Sequence, residues 1–346
     1  MTKRAISAIY LAAAILTLTF GVCAQSQSSE EVIKIETTLV TIPVIVSDRQ
    51  GRYIAGLEAK DFTLFQDGIA QSIDFFAATE EPLNVAILID TSRSTAEVLP
   101  DIKNAATGFV ERMQPQDKAM IVSFDYAPHI LSSLTANQKD LKRAIERAEI
   151  GEQFGTTLRD AVNEVVEKSF AGIKGRKAII LLTDGKDFGS DVSTEDLIYS
   201  VEESDTLIYS IFYQTGPAAF SAGNRGGIFR RRERGGIFGG RLPPDDDNRF
   251  PIPPQRSGRR RGQSNEAATE FLQKMADATA GRFYRSEVAD LTNTFGLIID
   301  ELRYQYRLGF YPPNAQKDAA LHPLKVRVSR ADAIVRARQN YRASSK

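Results

Sequence analysis

Four short, unbroken apolar runs constrain the fold of this chain more than any other feature. They are Val85-Ala86-Ile87-Leu88-Ile89, Ala119-Met120-Ile121-Val122, Ala178-Ile179-Ile180-Leu181-Leu182 and Leu207-Ile208-Tyr209-Ser210-Ile211-Phe212. A strand with one wet face alternates apolar and polar side chains. A run without alternation has both faces covered, as in a mainly parallel sheet. Between the runs lie helical periods: Val98, Ile102, Ala105, Phe109 and Met113 recur at steps of four and three. Further helices are expected around 137–148, 158–170, 193–203, 264–279 and 289–302. Strands alternating with helices predict a doubly wound, mainly parallel α/β domain.

The two ends of the chain read differently. Val40, Ile42, Val44 and Val46 alternate with Leu39, Thr41, Pro43 and Ile45, and Phe62–Phe65, Gln66-Asp67-Gly68 and Ile73-Asp74-Phe75 read as a hairpin with an Asp-Gly turn. Far along the chain, Tyr304, Tyr306, Leu308 and Phe310 alternate with Arg303, Gln305, Arg307 and Gly309. Leu324, Val326 and Val328 repeat that pattern, and a last strand is expected over 333–337. Three or four strands alone make a marginal core. The segments 30–80 and 304–340 are therefore expected to pack together as a small antiparallel β-sandwich-like module, with the α/β domain (83–303) inserted into it.

Lys3 and Arg4, the apolar run from Ala5 to Val22 and Val22-Cys23-Ala24 have the order of a secretory signal peptide over residues 1–24. The run also approaches the length of a membrane anchor, but its small residues and cleavage-like site favour removal. Removal would take away the one cysteine, which leaves no thiolate for structural zinc, and two histidines (His129 and His322) make a His-rich zinc site improbable. An exported protein, periplasmic or secreted, is the expectation. The balance of 44 Lys and Arg against 44 Asp and Glu gives no hint of a partner, but it hides an asymmetry. Residues 216–262 hold ten Gly, six Pro and eleven Arg with no Lys, and repeat Arg-Gly-Gly-Ile-Phe at 225–229 and 234–238. Such a stretch reads as a disordered insertion. Its positive charge also suits contact with an acidic surface. Export argues against a nucleic-acid partner.

Three segments place oxygen ligands at the ends of expected strands: Asp90-Thr91-Ser92-Arg93-Ser94, Gly155-Thr156-Thr157-Leu158 and Thr183-Asp184-Gly185. In open α/β sheets, the carboxyl ends of strands at the topological switch point form the ligand crevice. Two carboxylates and three hydroxyls make a hard, oxygen-only set suited to Mg²⁺ or Mn²⁺. With only two anionic ligands, the cation keeps an appetite for a carboxylate from outside.

The Asp90-x-Ser92-x-Ser94, Thr156 and Asp184 pattern, in this order, resembles the von Willebrand factor A domain family over roughly residues 83–303. Ala278-Thr279-Ala280-Gly281-Arg282-Phe283-Tyr284 is similar to the lead into that family's last strand. The resemblance implies a Rossmann-like fold in which Asp90, Ser92, Ser94, Thr156 and Asp184 form a metal-ion-dependent adhesion site. It implies a cation bridging to an exposed carboxylate of a protein partner. The flanking β segments further resemble exported, acidobacterial-type relatives of that family. Arg93, Thr157 and Asp187 fall on the ligand-binding rim, although Asp187 also reads as an ordinary loop residue. Arg93 and Phe154 stand where the family often has Gly; Arg93 would either pair with an incoming carboxylate or partly cover the metal. Asp160 reads as a first-turn helix charge, Asp125 as a strand end near the rim, and His129 as a surface residue of an edge hairpin.

Three function classes follow. The first is cation-dependent protein binding. The second is a scaffold in which the metal staples strand ends together. The third is a Mg²⁺-dependent hydrolase, which the sequence disfavours: none of the three segments holds a His to act as base, and neither a Gly-x-Ser-x-Gly elbow nor a His-Glu-x-x-His helix occurs. The expectation is a non-enzymatic module.

Overall fold

The structure is a computed structural model and describes residues 39–78, 81–215, 257–312 and 320–342. The expected signal peptide, residues 1–24, and the arginine-rich stretch as far as residue 256 lie outside the described residues. Among the described residues no helix is long and apolar enough to cross a membrane.

In chain order the strands are β1 (Val40–Ser47), β2 (Phe62–Gln66), β3 (Ile69–Gln71), β4 (Phe75–Ala78), β5 (Leu83–Asp90), β6 (Lys118–Phe124), β7 (Pro128–Thr135), β8 (Arg176–Thr183), β9 (Thr206–Tyr213), β10 (Arg282–Ser286), β11 (Gln305–Phe310), β12 (Leu321–Val328), β13 (Ile334–Ala337) and β14 (Asn340–Arg342). The helices are α1 (Leu99–Arg112), α2 (Gln138–Glu146), α3 (Leu158–Glu164), α4 (Thr194–Glu203), α5 (Ser257–Ala278) and α6 (Leu291–Arg303).

The central sheet runs β10-β9-β8-β5-β6-β7, parallel except for β7 at its edge. Every residue of β5 and β9 is buried, which is why these segments read as continuous apolar runs. Successive side chains on β5 serve opposite faces. Val85, Ile87 and Ile89 pack with Ile102, Phe109, Phe295 and Ile298 of α1 and α6, while Ala86 and Leu88 pack with Leu158, Val162, Leu197 and Leu272 of α3, α4 and α5.

Two four-stranded antiparallel sheets, β13-β1-β11-β4 and β14-β12-β2-β3, enclose a separate core of Ile42, Val44, Leu64, Tyr306, Leu308 and Phe310. In it β1 pairs with β11, Ile42 opposite Leu308, so strands from both sides of the α/β domain share one sheet. The fold is an α/β domain with a mainly parallel sheet joined to a small antiparallel β-sandwich.

Three local readings need correction. The Asp67-Gly68 turn has positive φ at both residues (52° and 80°), the geometry of a tight two-residue hairpin. Such a turn places Ile69 directly opposite Gln66, so the returning strand is β3, while Phe75 and Phe76 cross to the other sheet and pair with β11. The helix expected over 158–170 is α3 followed by a π-helical turn at Val165–Ser169. Finally, α5 starts at Ser257, inside the stretch whose composition reads as irregular.

The α5–β10 corner carries a tight constraint. Ala280 adopts the left-handed conformation (φ 61°) that ends the helix. At the next position a Cβ on Gly281 would lie 1.9 Å from the Ile208 carbonyl oxygen of β9. Gly281→Ala should therefore push β10 off β9 and cost about 1–3 kcal/mol. A chemical-denaturation midpoint equal to that of the unsubstituted protein would show that the corner yields freely.

Candidate metal centre

Asp90 is the last residue of β5 and Thr183 the last of β8, and these strands are neighbours, with Ile89 opposite Leu182. The chain fills the sheet on one side of β5 with β6 and on the other with β8. The crevice beyond the carboxyl ends of β5 and β8 is thus the switch point of the fold.

Both oxygens of the Asp90 carboxylate accept hydrogen bonds: Oδ1 from the Ser92 backbone N–H at 3.0 Å, and Oδ2 from the Thr183 hydroxyl at 2.8 Å. The second bond crosses from β8 to β5 and fixes the two motif loops to each other. Thr95 secures the first loop, because its hydroxyl bonds the carbonyls of Asp90 (3.0 Å) and Ser92 (2.8 Å). That leaves the Ser92 and Ser94 hydroxyls side by side, 3.1 Å apart.

Thr156 arrives from the loop before α3. It exchanges both backbone hydrogen bonds with Phe188 (3.2 and 2.8 Å), which lies just beyond Asp184. Its neighbour Thr157 gives its N–H (2.8 Å) and hydroxyl (3.2 Å) to the Asp125 carbonyl at the end of β6. Thr91 in turn donates its N–H to the Phe124 carbonyl at 2.9 Å. The three oxygen-bearing loops therefore form one hydrogen-bonded layer over the sheet edge.

Asp90, Ser92, Thr156 and Asp184 are all less than a tenth exposed. Burial, and then the nearby charge of Asp184, push the Asp90 carboxyl up to about 7. Tyr213, at the end of β9, is fully buried, and its hydroxyl has no hydrogen-bond partner among the described residues. Burial first, and then the charges of Asp90 and Asp184, raise that phenol well above its ordinary range. Buried carboxylates with an idle hydroxyl nearby are costly unless a cation joins them. The oxygen-only donor set fits a hard divalent ion. No group of three or more His, Cys, Asp or Glu side chains is placed to hold a metal among the described residues. A cation here would depend on hydroxyls for much of its protein coordination.

Residues 84–218 match the family model of the von Willebrand factor type A domain. This stretch is similar to a von Willebrand factor type A domain and is the core of the α/β part, the A domain. Over 114 residues it is 28% identical to the uncharacterized protein sll0103 of Synechocystis sp., a match taking in 32% of this chain and 27% of that one. Similar solved structures include an aerotolerance-related membrane protein from Bacteroides fragilis (20% identity, TM-score 0.43, 64% of this chain and 98% of that one). The vWF domain of the type V pili tip protein Mfa5 from Porphyromonas gingivalis is similar at 13% identity and TM-score 0.42, over 64% of this chain and 94% of that domain. Proximal thread matrix protein 1 from the mussel byssus, with a zinc-occupied MIDAS motif, is similar at 15% identity and TM-score 0.46, over 68% of this chain and 49% of that one.

Of the rim residues expected in the A domain, one is exposed. The Arg93 guanidinium lies 4.1 Å above the Phe154 ring and donates to the Glu152 carbonyl, so it is drawn to the side of the Thr156 loop. Thr157 is no rim residue: it is 5% exposed and spends its hydroxyl on Asp125. Asp187 is committed to Ser190 and Arg159, which orders the loop after β8. Asp160 accepts the backbone N–H groups of Asp191 and Val192 and so closes the same loop. Asp125 takes His129 at 3.1 Å and the Thr91 hydroxyl at 3.4 Å.

The sequence reading missed two residues of the A domain. Thr215 donates to Asp184 Oδ2 at 2.9 Å, and the Lys186 ammonium pairs with that same oxygen. Only Lys186 left a signal, its position two residues after Asp184. A cation taking Asp184 Oδ2 must displace the ammonium. Asp184 is nearly buried, but the Lys186 end of the pair is 41% exposed, so water competes for the ammonium and its hold on Asp184 is about 1 kcal/mol. Lys186→Met should therefore tighten Mg²⁺ binding by up to about fivefold. Weaker binding in calorimetry would instead make Lys186 a supporting residue of the centre.

Proposed function

We propose that the A domain holds Mg²⁺ or Mn²⁺ through Asp90, Ser92, Ser94, Thr156 and Asp184, and through that ion binds an acidic residue of a partner protein. A-type domains generally mediate protein–protein interaction. The observation that carries the reading is the hydrogen bond from Thr183 to Asp90, which draws the Asp90 and Asp184 loops together at the switch point with two carboxylates and several hydroxyls. Two carboxylates balance a divalent ion without over-neutralising it, and five protein oxygens leave one of about six positions open to a further carboxylate. A hydrolase at this site would need a base, and none of the three motif loops carries a His; His129, paired with Asp125, lies at the start of β7. The site therefore favours recognition over turnover.

Export to the periplasm or beyond belongs to the same proposal, supported by the signal-like residues 1–24, as does contact of the arginine-rich stretch with an acidic surface. The complete burial of Asp90 also favours a stapling role for the ion. Calorimetric titration with MgCl₂ and MnCl₂ should show one site per chain, lost in Asp184→Ala. Partner capture from envelope extract should fail in EDTA. Capture that survives EDTA while the melting temperature drops would leave only the staple.

A further inference from the structure

The metal site is ringed by aromatic side chains that the fold does not bury. Phe154 is 81% exposed, Phe188 67% and Tyr126 57%. They come from three different loops, yet all border the Gly155-Thr156 segment. Phe154 precedes it, Phe188 pairs with the Thr156 backbone, and Tyr126 lies against Gly155, where a Cβ would stand 3.3 Å from the Tyr126 Cα and 3.5 Å from the Phe188 carbonyl oxygen. Gly155 has φ 150°, and its missing side chain lets the Tyr126 and Phe188 loops close on Thr156.

An aromatic side chain has roughly 150–250 Å² of surface, and with more than half of each ring exposed the collar amounts to a few hundred Å², the size at which exposed apolar patches mark interaction sites. It is not uniformly apolar. Arg93 lies over Phe154, and Lys186 stands beside Asp184. Positive charge and aromatic surface thus surround one oxygen-lined crevice. Interface centres that bind tightly combine aromatic rings and arginine around a desolvated contact.

Resting on the proposed metal–carboxylate contact, we infer that Tyr126, Phe154 and Phe188 form a selectivity collar for a protein segment whose acidic residue is flanked by apolar side chains. The acid meets the ion and Arg93, and its neighbours cover the rings. An acidic residue in a polar context gains the first contact without the second.

The test uses blocked peptides Gly-Phe-Asp-Phe-Gly, Gly-Gly-Asp-Gly-Gly and Gly-Phe-Asn-Phe-Gly, with anisotropy or NMR titration of the whole protein in saturating Mg²⁺. The first should bind at least tenfold tighter than the second, and the third should lose Mg²⁺-dependent binding. Phe154→Ser and Phe188→Ser alter exposed rings, so calorimetric Mg²⁺ affinity should stay unchanged while the tenfold preference disappears. Equal binding of the two Asp peptides overturns the collar and leaves the metal contact standing. Binding indifferent to Asp or to Mg²⁺ overturns the proposed function itself. Mg²⁺-dependent self-association in sedimentation, abolished by the same two variants, would make the collar a contact between copies and overturn a foreign acidic segment as its occupant.

Discussion

In EDTA the protein should lose stability as pH is raised from about 4 to about 7, and Mg²⁺ should abolish that loss. The cause is Asp90, whose carboxyl is pushed from its ordinary 3.8 up to about 7 by burial and then by Asp184. Between those values the folded protein holds a proton that the unfolded chain has released, so folding takes up protons and weakens as they grow scarce. Stability contributed by the protonated acid is complete below pH 4 and gone above 7. The span corresponds to about 4 kcal/mol. A divalent ion replaces the proton and removes the slope. Asp90→Asn separates this group from all others titrating in the same window. An Asn amide can accept from the Ser92 N–H and donate to the Thr183 hydroxyl, so both of the hydrogen bonds to Asp90 have a counterpart. The variant should show a flat profile in EDTA and at least a hundredfold weaker cation binding. Asp90→Ala should also lose the ion, but it leaves two buried donors unpaired and should cost about 2–4 kcal/mol at pH 4. A slope that persists in Asp90→Asn would place its origin elsewhere.

The parts of this molecule that are legible from sequence are those whose physics is local or periodic. Val85–Ile89 and Ala178–Leu182 announce a sheet covered on both faces because no polar residue interrupts them. Asp90 and Asp184 stand out because each follows such a run. What stayed hidden depends on contacts distant in the chain. Tyr213 ends a strand like any other aromatic, and only the sheet order brings it toward Asp90 and Asp184. Tyr126, Phe154 and Phe188 look like unrelated loop residues until the Thr156–Phe188 pairing gathers them. The exchange of β4 into the other sheet is equally non-local, since Phe76 finds Leu308 from the far end of the chain. Thr157 misled for the opposite reason: a hydroxyl beside an expected ligand suggests a rim, but its partner is a backbone carbonyl beneath it. Glu301 left a readable sign. It falls on the face of α6 marked by Phe295, Ile298 and Leu302, where an acid must have a partner.

Those partners make Glu301 a position where a single change should strongly destabilise the fold. Its side chain is fully buried. Oε1 accepts the Tyr209 hydroxyl at 2.7 Å and pairs with Arg336, while Oε2 accepts the Tyr53 hydroxyl at 3.1 Å and faces Arg282 at 3.4 Å. Tyr209 and Arg282 belong to β9 and β10 of the α/β sheet; Arg336 is on β13, and Tyr53 bridges to Ser47 of β1, in the sandwich. One carboxylate therefore fastens the two parts of the fold together. Its negative charge, after burial, is a main reason the Tyr209 phenol is held protonated. Removing one partner of a buried pair strands the other, so Glu301→Ala should cost about 3–5 kcal/mol. Arg282 is 43% exposed and can turn to water, which makes Arg336 and the two phenols the larger share of that loss. Glu301→Gln keeps the shape and one good acceptor but turns an N–H₂ toward an arginine, so it should fall between the two. Because β1 and β11 lie on either side of the A domain in sequence, the loss should also separate the unfolding of the sandwich from that of the α/β sheet. Urea melts followed by far-UV dichroism and by tyrosine fluorescence would show this as two midpoints where the unsubstituted protein has one. Coincident midpoints, with a loss below about 1 kcal/mol, would mean that the two cores are held by their strands and that Glu301 is a spectator.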